Sequence, residues 1–470
     1  MENATPHRDV VVIGAGMAGH CAALEAARLG ASVLLLEKMP AYGGSTVMCG
    51  GAFAFAGTRV QKEQGIADTP ELLEQDLLTC GHHANDPKVV RAYAEHQYDA
   101  YRWLESLGLD FDNVTLNGGQ SMPRLHSLDP KHMLRVLHQA LRDAGGAFRA
   151  NAGVRRLISR GEDAEREVVG VELESGERVM ARGGVVIATG GFSRSRELVA
   201  RFAPHLADAK PMGGEGNTGD GLRMAWALGA DLVDMGFTKG TYGAPAHTPL
   251  PGKEKIAPHL VHTMYKGGIV VNMLGSRFVN ESLSYKLIGE ECLKQPGRIG
   301  VQVFDHRIMA QSAPFPTVDD YNSALEAGLI QRADSLDDLA VLLGLPSDAL
   351  EATVARYNAA ADGRGGDEMG RDCLTAGYGA VPTLSVAPFY GIACTTGLNS
   401  TYCGLRTDAG SRVLDVFGQS IAGLYATGEV MGGLHGASYL SGSSLAKGCI
   451  FGRLAAQDAC RRVGLAQAAA

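Results

Sequence analysis

The first clear pattern of apolar and polar positions lies in DVVVIGAGMAGHCAALEAARLGASVLLLEK (9–38). A short apolar run passes through a glycine turn into helical spacing, then into a second apolar run that ends at Glu37. That order predicts a strand–helix–strand unit. Three later stretches repeat parts of it. VVIATGGFS (185–193) reads as a short strand entering a glycine turn, GEGNTGDGLRMAWALGA (214–230) as a turn into an amphipathic helix, and GLYATGEVMGG (423–433) as a strand leading to Glu429. The apolar spacing of SLDDLAVLLGLPSDALEATVARYNAAA (335–361) predicts one amphipathic helix, and residues 445–462 predict a C-terminal one.

The glycines of the first unit carry chemistry. Gly14 permits a tight turn, Gly16 lets backbone N–H groups reach a pyrophosphate at the helix N-terminus, and Gly19 allows close helix–strand packing. Glu37 stands where an acid accepts hydrogen bonds from a ribose diol. The turn Gly14, Ala15, Gly16, Met17, Ala18 and Gly19, with Glu37 and Lys38, is therefore a candidate dinucleotide site. In the next segment, KMPAYGGSTVMCGGAF (38–53), Gly43, Gly44, Ser45, Thr46, Gly50 and Gly51 suit passage beside a cofactor bulkier than a nicotinamide dinucleotide. The other GxGxxG string, GEGNTG at 214–219, follows no apolar strand-like run, so no separate nicotinamide domain is visible.

Composition narrows the partners. The 470 residues are 45% hydrophobic and 20% charged, as in ordinary globular proteins, and long enough for two domains or one with a large insertion. A net charge of −8 supplies no basic stripe for nucleic acid, which points to small-molecule ligands. The nine cysteines are scattered and never in CxxC spacing. That favours free thiols in a reducing compartment over disulfides or a metal site. No apolar stretch approaches membrane-span length, and residues 1–8 (MENATPHR) lack an apolar core, so a cytoplasmic protein without a transmembrane helix is expected.

Together these segments resemble the flavoprotein family of fumarate reductases, succinate dehydrogenases and 3-ketosteroid dehydrogenases. The resemblance implies an α/β fold: a Rossmann-like FAD-binding domain of two sequence parts, 1–237 and 391–470, with an inserted α+β capping domain at 238–390. It adds Ala188, Thr189, Gly190, Asp220, Glu429, Ser443, Ser444 and Leu445 to the expected FAD contacts, with the N-terminus of the last helix facing the flavin pyrimidine. The histidine that attaches FAD covalently in succinate dehydrogenases would fall near Thr46–Met48, where no histidine stands. Non-covalent FAD is expected.

The same resemblance locates the substrate. Fumarate reductases place a proton-donating arginine five residues after the Asn of RFVNE; this chain keeps Arg277–Glu281 and then has Tyr285. Their carboxylate-clamping arginine falls at Tyr439 of HGASYLSGSS (435–444), and their paired histidines fall at Asn399 and Ser400. Two neutral phenols cannot replace two guanidinium groups for a dianion, whereas they suit a neutral carbonyl. The replacements look similar to 3-ketosteroid dehydrogenases, and YLSGSSLA is closer to the loop of the Δ4-(5α) type. That implies Tyr285 as base, with Tyr439 and Ser441 on a ketone oxygen and hydride leaving the β-carbon for flavin N5. Tyr285, on a helix four residues after Glu281, would need a lowered pKa or a proton relay; Lys286, Tyr265 and Lys266 are the nearby candidates. His126 and His247 read as loop histidines, and His435 as support for the loop it precedes. The expected partner is a hydrophobic ketone, with the electron acceptor open. A carboxylate substrate served by Arg124 or Lys286, or a flavoprotein subunit of an electron-transfer complex, are the other readings.

Overall fold

The computed structural model describes residues 7–162 and 165–465; most of the leading segment 1–8 lies outside them. The apolar runs of the first unit form the strands His7–Ile13 and Val33–Leu36, paired in parallel with Val10 opposite Val33, around the helix Met17–Arg28. They belong to an eight-stranded sheet. Its order is Arg412–Leu414, Ser420–Ala426, Glu167–Leu173, Arg178–Ile187, His7–Ile13, Val33–Leu36, Ala147–Arg149, with Val154–Arg160 paired to Glu167–Leu173. The strands His7–Ile13 and Ser420–Ala426 both pair in parallel with Arg178–Ile187, and the three end level: Ile13 and Ala426 both lie opposite Ile187. Their outgoing turns, Gly14–Gly16, Ala188–Gly190 and Thr427–Glu429, therefore converge at one sheet edge, the place where open parallel sheets bind ligands.

One face of this sheet is covered by Met17–Arg28 and the C-terminal helix Ser443–Arg462, which starts two residues earlier than its apolar pattern indicates. The two helices touch backbone to backbone: a Cβ at Gly452 would sit 2.7 Å from the Ala18 carbonyl oxygen. Ala22, Leu24, Leu35, Phe451 and Ala455 fill the core between them.

A second sheet is built on the long strand Phe389–Leu398. It pairs with Gly300–Asp305, Thr241–Pro245, Gln331–Ala333 and Lys210–Pro211, and Gly300–Asp305 pairs in turn with Ile269–Asn272. We propose 1–237, 238–390 and 391–470 as the functional division into flavin-binding and capping parts. This strand straddles the last of those boundaries.

Two local expectations change. The stretch 335–361 is two helices, Leu336–Leu343 and Ser347–Ala361, because Gly344 takes a left-handed φ of 69° and Pro346 follows. Only part of their apolar pattern faces the core: Leu339, Leu350, Val354 and Tyr357 are buried, whereas Val341 is 71% exposed. Tyr285 is the first residue of its helix, Tyr285–Leu293, not four residues along one, since Ser284 caps it by accepting the Lys286 N–H at 3.3 Å. No helix among the described residues is long and apolar enough to cross a membrane.

Candidate active site

The converging turns open onto one large cavity that continues beneath the second sheet. The turn after the first strand is shaped for close approach. A Cβ at Gly14 would lie 2.4 Å from the Ala188 oxygen and one at Gly19 only 1.8 Å from the Gly14 oxygen, whereas at Gly16 the nearest protein atom is Thr46 Oγ1 at 3.3 Å. Gly16 is thus dispensable for packing and open towards the cavity. Glu37 holds this turn by accepting the Ala15 and Met39 N–H groups, both at 2.9 Å. The Thr46 hydroxyl accepts the Met17 N–H at 3.0 Å.

Of the expected cofactor contacts, Gly14 to Ala18, Glu37, Lys38, Gly44, Ser45, Thr46, Gly50, Ala188, Thr189, Gly190, Asp220, Glu429, Ser444 and Leu445 line the cavity. Gly19, Gly43, Gly51 and Ser443 stand behind the lining. Lys38 pairs with Asp220 at 2.5 Å. Three buried polar atoms along this wall, Thr189 Oγ1, Asn217 Oδ1 and Asn399 Oδ1, have no partner among the described residues. A glycine cradle, a helix N-terminus and unpaired polar atoms fit a dinucleotide such as FAD.

At the other end the cavity meets Tyr285, Tyr439, Ser441, Tyr402, His262 and Thr241. Tyr285 is held by the buried motif before it: Arg277 donates to Glu281 at 2.8 and 2.6 Å and to Asp367 at 2.6 Å, and Glu281 accepts the Val270 N–H at 3.0 Å. The Tyr285 ring stacks on His262 with centroids 4.6 Å apart and lies 6.0 Å from Tyr439. Burial pushes the Tyr285 phenol well above its ordinary value, and the nearby Ser441 hydroxyl opposes this. Tyr439 is also raised by burial; its oxygen accepts the Ser444 N–H at 3.4 Å, which leaves its own O–H to point elsewhere.

His262 donates from Nε2 to the Tyr242 carbonyl at 3.0 Å, which fixes its tautomer, and burial lowers its pKa to about 4. Its Nδ1 is buried without a partner among the described residues.

The other candidates sort clearly. Tyr265 donates to the Leu283 carbonyl at 2.8 Å and Lys266 pairs with Asp319 at 3.3 Å, so neither is free to acidify Tyr285. Arg124 is enclosed with Asp68 and Asp76 and does not line the cavity. His126 binds Thr58 Oγ1 at 2.8 Å and the Arg124 carbonyl at 2.8 Å, and His247 is exposed. His435 packs 5.1 Å from the Tyr439 ring with Nδ1 3.4 Å from the Ser443 hydroxyl, consistent with support of the loop. Sequence reasoning missed Tyr402, His262 and Thr241. Tyr402 stands two residues after Ser400, takes a left-handed φ of 57°, and lies 4.5 Å from the Tyr439 ring.

The FAD binding domain family matches residues 9–445. The NADH:fumarate oxidoreductase of Klebsiella pneumoniae (strain 342) is 32% identical across 97% of this chain, which spans only 48% of that relative's length. The 3-oxosteroid 1-dehydrogenase of Mycobacterium tuberculosis is 31% identical, with 95% of this chain and 97% of that protein covered. Among solved structures, the open conformation of a flavocytochrome c3 fumarate reductase superposes with a TM-score of 0.77 at 28% identity, covering 98% of this chain and 79% of that one. The 3-ketosteroid-Δ4-(5α)-dehydrogenase of Rhodococcus jostii RHA1, in complex with 4-androstene-3,17-dione, gives 0.74 at 27% identity, with 97% of both chains covered. These matches run through both sheets and both ends of the cavity. The chain belongs to the FAD-binding flavoprotein family that contains the fumarate reductases and the 3-ketosteroid dehydrogenases, and is an FAD-dependent oxidoreductase.

Proposed function

We propose that this protein is a dehydrogenase that introduces a C=C bond next to a ketone, cyclic and 3-ketosteroid-like, with FAD held non-covalently. One observation carries the reading: among the described residues no arginine lines the cavity, and its substrate end presents three phenols and a serine. Arg277, Arg371 and Arg124 are buried nearby in the fold but engaged with Glu281, Asp367, Asp68 and Asp76. A dianion taken from water needs charged partners, while a ketone needs only donors.

Bound FAD supplies the hydride acceptor; this chain's residues handle the protons. Tyr439, its oxygen already receiving the Ser444 N–H, donates to the ketone oxygen, and Ser441 donates beside it. Tyr285 is neutral at rest, so it acts through a relay and not as a standing phenolate. Its oxygen takes the α-proton as its own proton passes to Ser441 and the Ser441 proton passes to the ketone oxygen. One C–H bond breaks, one O–H bond forms on the substrate, and no buried side chain acquires charge. The resulting enol is activated for loss of the β-hydride, and as the hydride leaves, the enol O–H proton passes by way of Ser441 to water, so that the substrate loses one hydride and one proton in all.

The carboxylate reading has two features in its favour, the buried Lys286 beside this end of the cavity and the slightly higher identity of the fumarate oxidoreductase relative. Anaerobic mixing of the purified flavoprotein with saturated 3-ketosteroids, cyclohexanones and dicarboxylates separates the readings. Flavin bleaching by ketones alone is the expected result, and bleaching by succinate alone overturns it.

A further inference from the structure

Lys286 is 1% exposed and has no carboxylate within ion-pair distance among the described residues. Its ammonium donates to Thr241 Oγ1, faces the Lys239 carbonyl at 3.5 Å and lies 4.2 Å above the Tyr402 ring. Those three directions account for its three protons. Neighbouring charge does not neutralise it: Lys239 is itself a cation paired with Glu290 at 2.6 Å, and Glu429 bonds to the Thr401 N–H at 2.8 Å. Burial without a counter-ion pushes its pKa well below the ordinary lysine value, with Glu429 opposing this, and so costly a placement calls for a function.

Thr241 is the atom through which Lys286 reaches the cavity. It sits on the strand Thr241–Pro245, is 1% exposed and lines the cavity wall. Because its oxygen receives the Lys286 proton, its own O–H is free to donate, and the protein offers that hydrogen no acceptor among the described residues. The hydroxyl is also polarised by the N–H that it accepts, which makes it a stronger donor.

We infer that Thr241, backed by Lys286, is a second polar subsite of this cavity, taking an acceptor oxygen that the substrate bears in addition to the ketone held at Tyr439 and Ser441. The inference rests on the preceding reading only for the position of the ketone. Lys286 Nζ lies 5.6 and 5.9 Å from the ring centroids of Tyr285 and Tyr439, so the second oxygen belongs to the same end of the substrate, a few bonds from the reacting carbon. One buried amine supplies at most one charge. The group is therefore a carbonyl or a single carboxylate, not half of a dianion with both ends clamped.

The probes are cyclohexanone, cyclohexanecarboxylate, 3-oxocyclohexanecarboxylate and its methyl ester. Their dissociation constants are read from perturbation of the oxidised flavin spectrum, with calorimetry as a check, in wild-type holoenzyme and in Thr241→Val, Lys286→Met and Tyr439→Phe. At least one of the two oxygen-bearing ketones should bind wild type about tenfold or more tightly than cyclohexanone, the usual worth of one charge-assisted hydrogen bond. Thr241→Val keeps the side-chain shape, and should remove that gain while leaving cyclohexanone unchanged. A carboxylate ligand loses more than the ester in Lys286→Met; an ester that gains as much as the acid identifies a carbonyl ligand. Retention of the full gain in Thr241→Val, or equal weakening of cyclohexanone, overturns the proposal, and Thr241→Val decides alone if Lys286→Met does not fold. Should Tyr439→Phe leave cyclohexanone unaffected while Thr241→Val weakens cyclohexanecarboxylate, the ketone reading fails and the subsite stands.

Discussion

Replacing Tyr285 by Phe isolates the oxygen that the relay requires. The ring keeps its stack on His262 at 4.6 Å and its buried place in the cluster with Ile288 and Val303, so packing is unchanged. Only a neutral hydroxyl is lost, whose neighbour is another hydroxyl, that of Ser441. The stability cost is therefore about 1 kcal/mol or less, and FAD content and ketone affinity persist. Flavin reduction should slow by about 10²–10⁴-fold, or about 3–5 kcal/mol on the barrier. Tyr439→Phe releases the Ser444 N–H and removes the donor to the developing enol oxygen; a loss of about 10²–10³-fold is expected, together with weaker ketone binding. Anaerobic rapid mixing with ketone deuterated at the α-carbon reads both, and the isotope effect should grow in Tyr285→Phe as proton abstraction becomes limiting. The relay also fixes the pH profile. Burial pushes both phenols upward, so the wild-type reduction rate should show no rising limb near neutral pH. Wild-type rates in a fully flavinated Tyr285→Phe protein, or a rate that climbs with a neutral pKa lost in that variant, would refute this account of Tyr285.

The remaining expectations concern the cofactor and the scaffold. Gly16→Val should give a folded protein without FAD, read by circular dichroism and flavin absorbance, because the added atoms point into the cavity; Gly19→Ala should destabilise the fold itself, since its Cβ would meet the Gly14 oxygen at 1.8 Å. Acid or heat should release the FAD of the wild type completely, as Thr46, Val47 and Met48 offer no histidine for attachment; flavin retained on the denatured chain contradicts this. Asp458 is pushed up by burial but pulled further down, to about 2, by hydrogen bonds from Arg412, Arg461 and Tyr425. Its folded value lies below the unfolded one of about 3.9, so its contribution of about 2–3 kcal/mol is complete above pH ~4 and is lost as pH falls towards 2. Acid unfolding of Asp458→Asn should lack that component.

The cofactor end of the cavity was legible because its determinants are local. The turn Gly14–Gly19, its helix and Glu37 lie within one strand–helix–strand unit, and the period change marks each element. Even there, the use of Glu37 to hold the Ala15 N–H was not visible, since it depends on how the turn closes. Around Tyr285 less was readable. Its neighbours His262, Thr241 and Tyr402 come from separate segments up to 161 positions apart, brought together by pairing of Thr241–Pro245 with Phe389–Leu398. A raised phenol pKa is a property of that packing and has no sequence signature. The break at Gly344–Pro346 was written in the sequence, but the apolar period on either side outweighed it.

Product analysis tests the central claim most directly. One equivalent of a saturated 3-ketosteroid is mixed anaerobically with the oxidised flavoprotein, alongside an identical sample given succinate, and each is followed by flavin absorbance and mass spectrometry. The ketone should bleach the flavin and lose two hydrogens, one α and one β to the carbonyl, while succinate leaves the spectrum oxidised. Stoichiometric formation of fumarate with bleaching, and an unaltered ketone, would contradict the reading of Tyr285, Tyr439 and Ser441 as a ketone site.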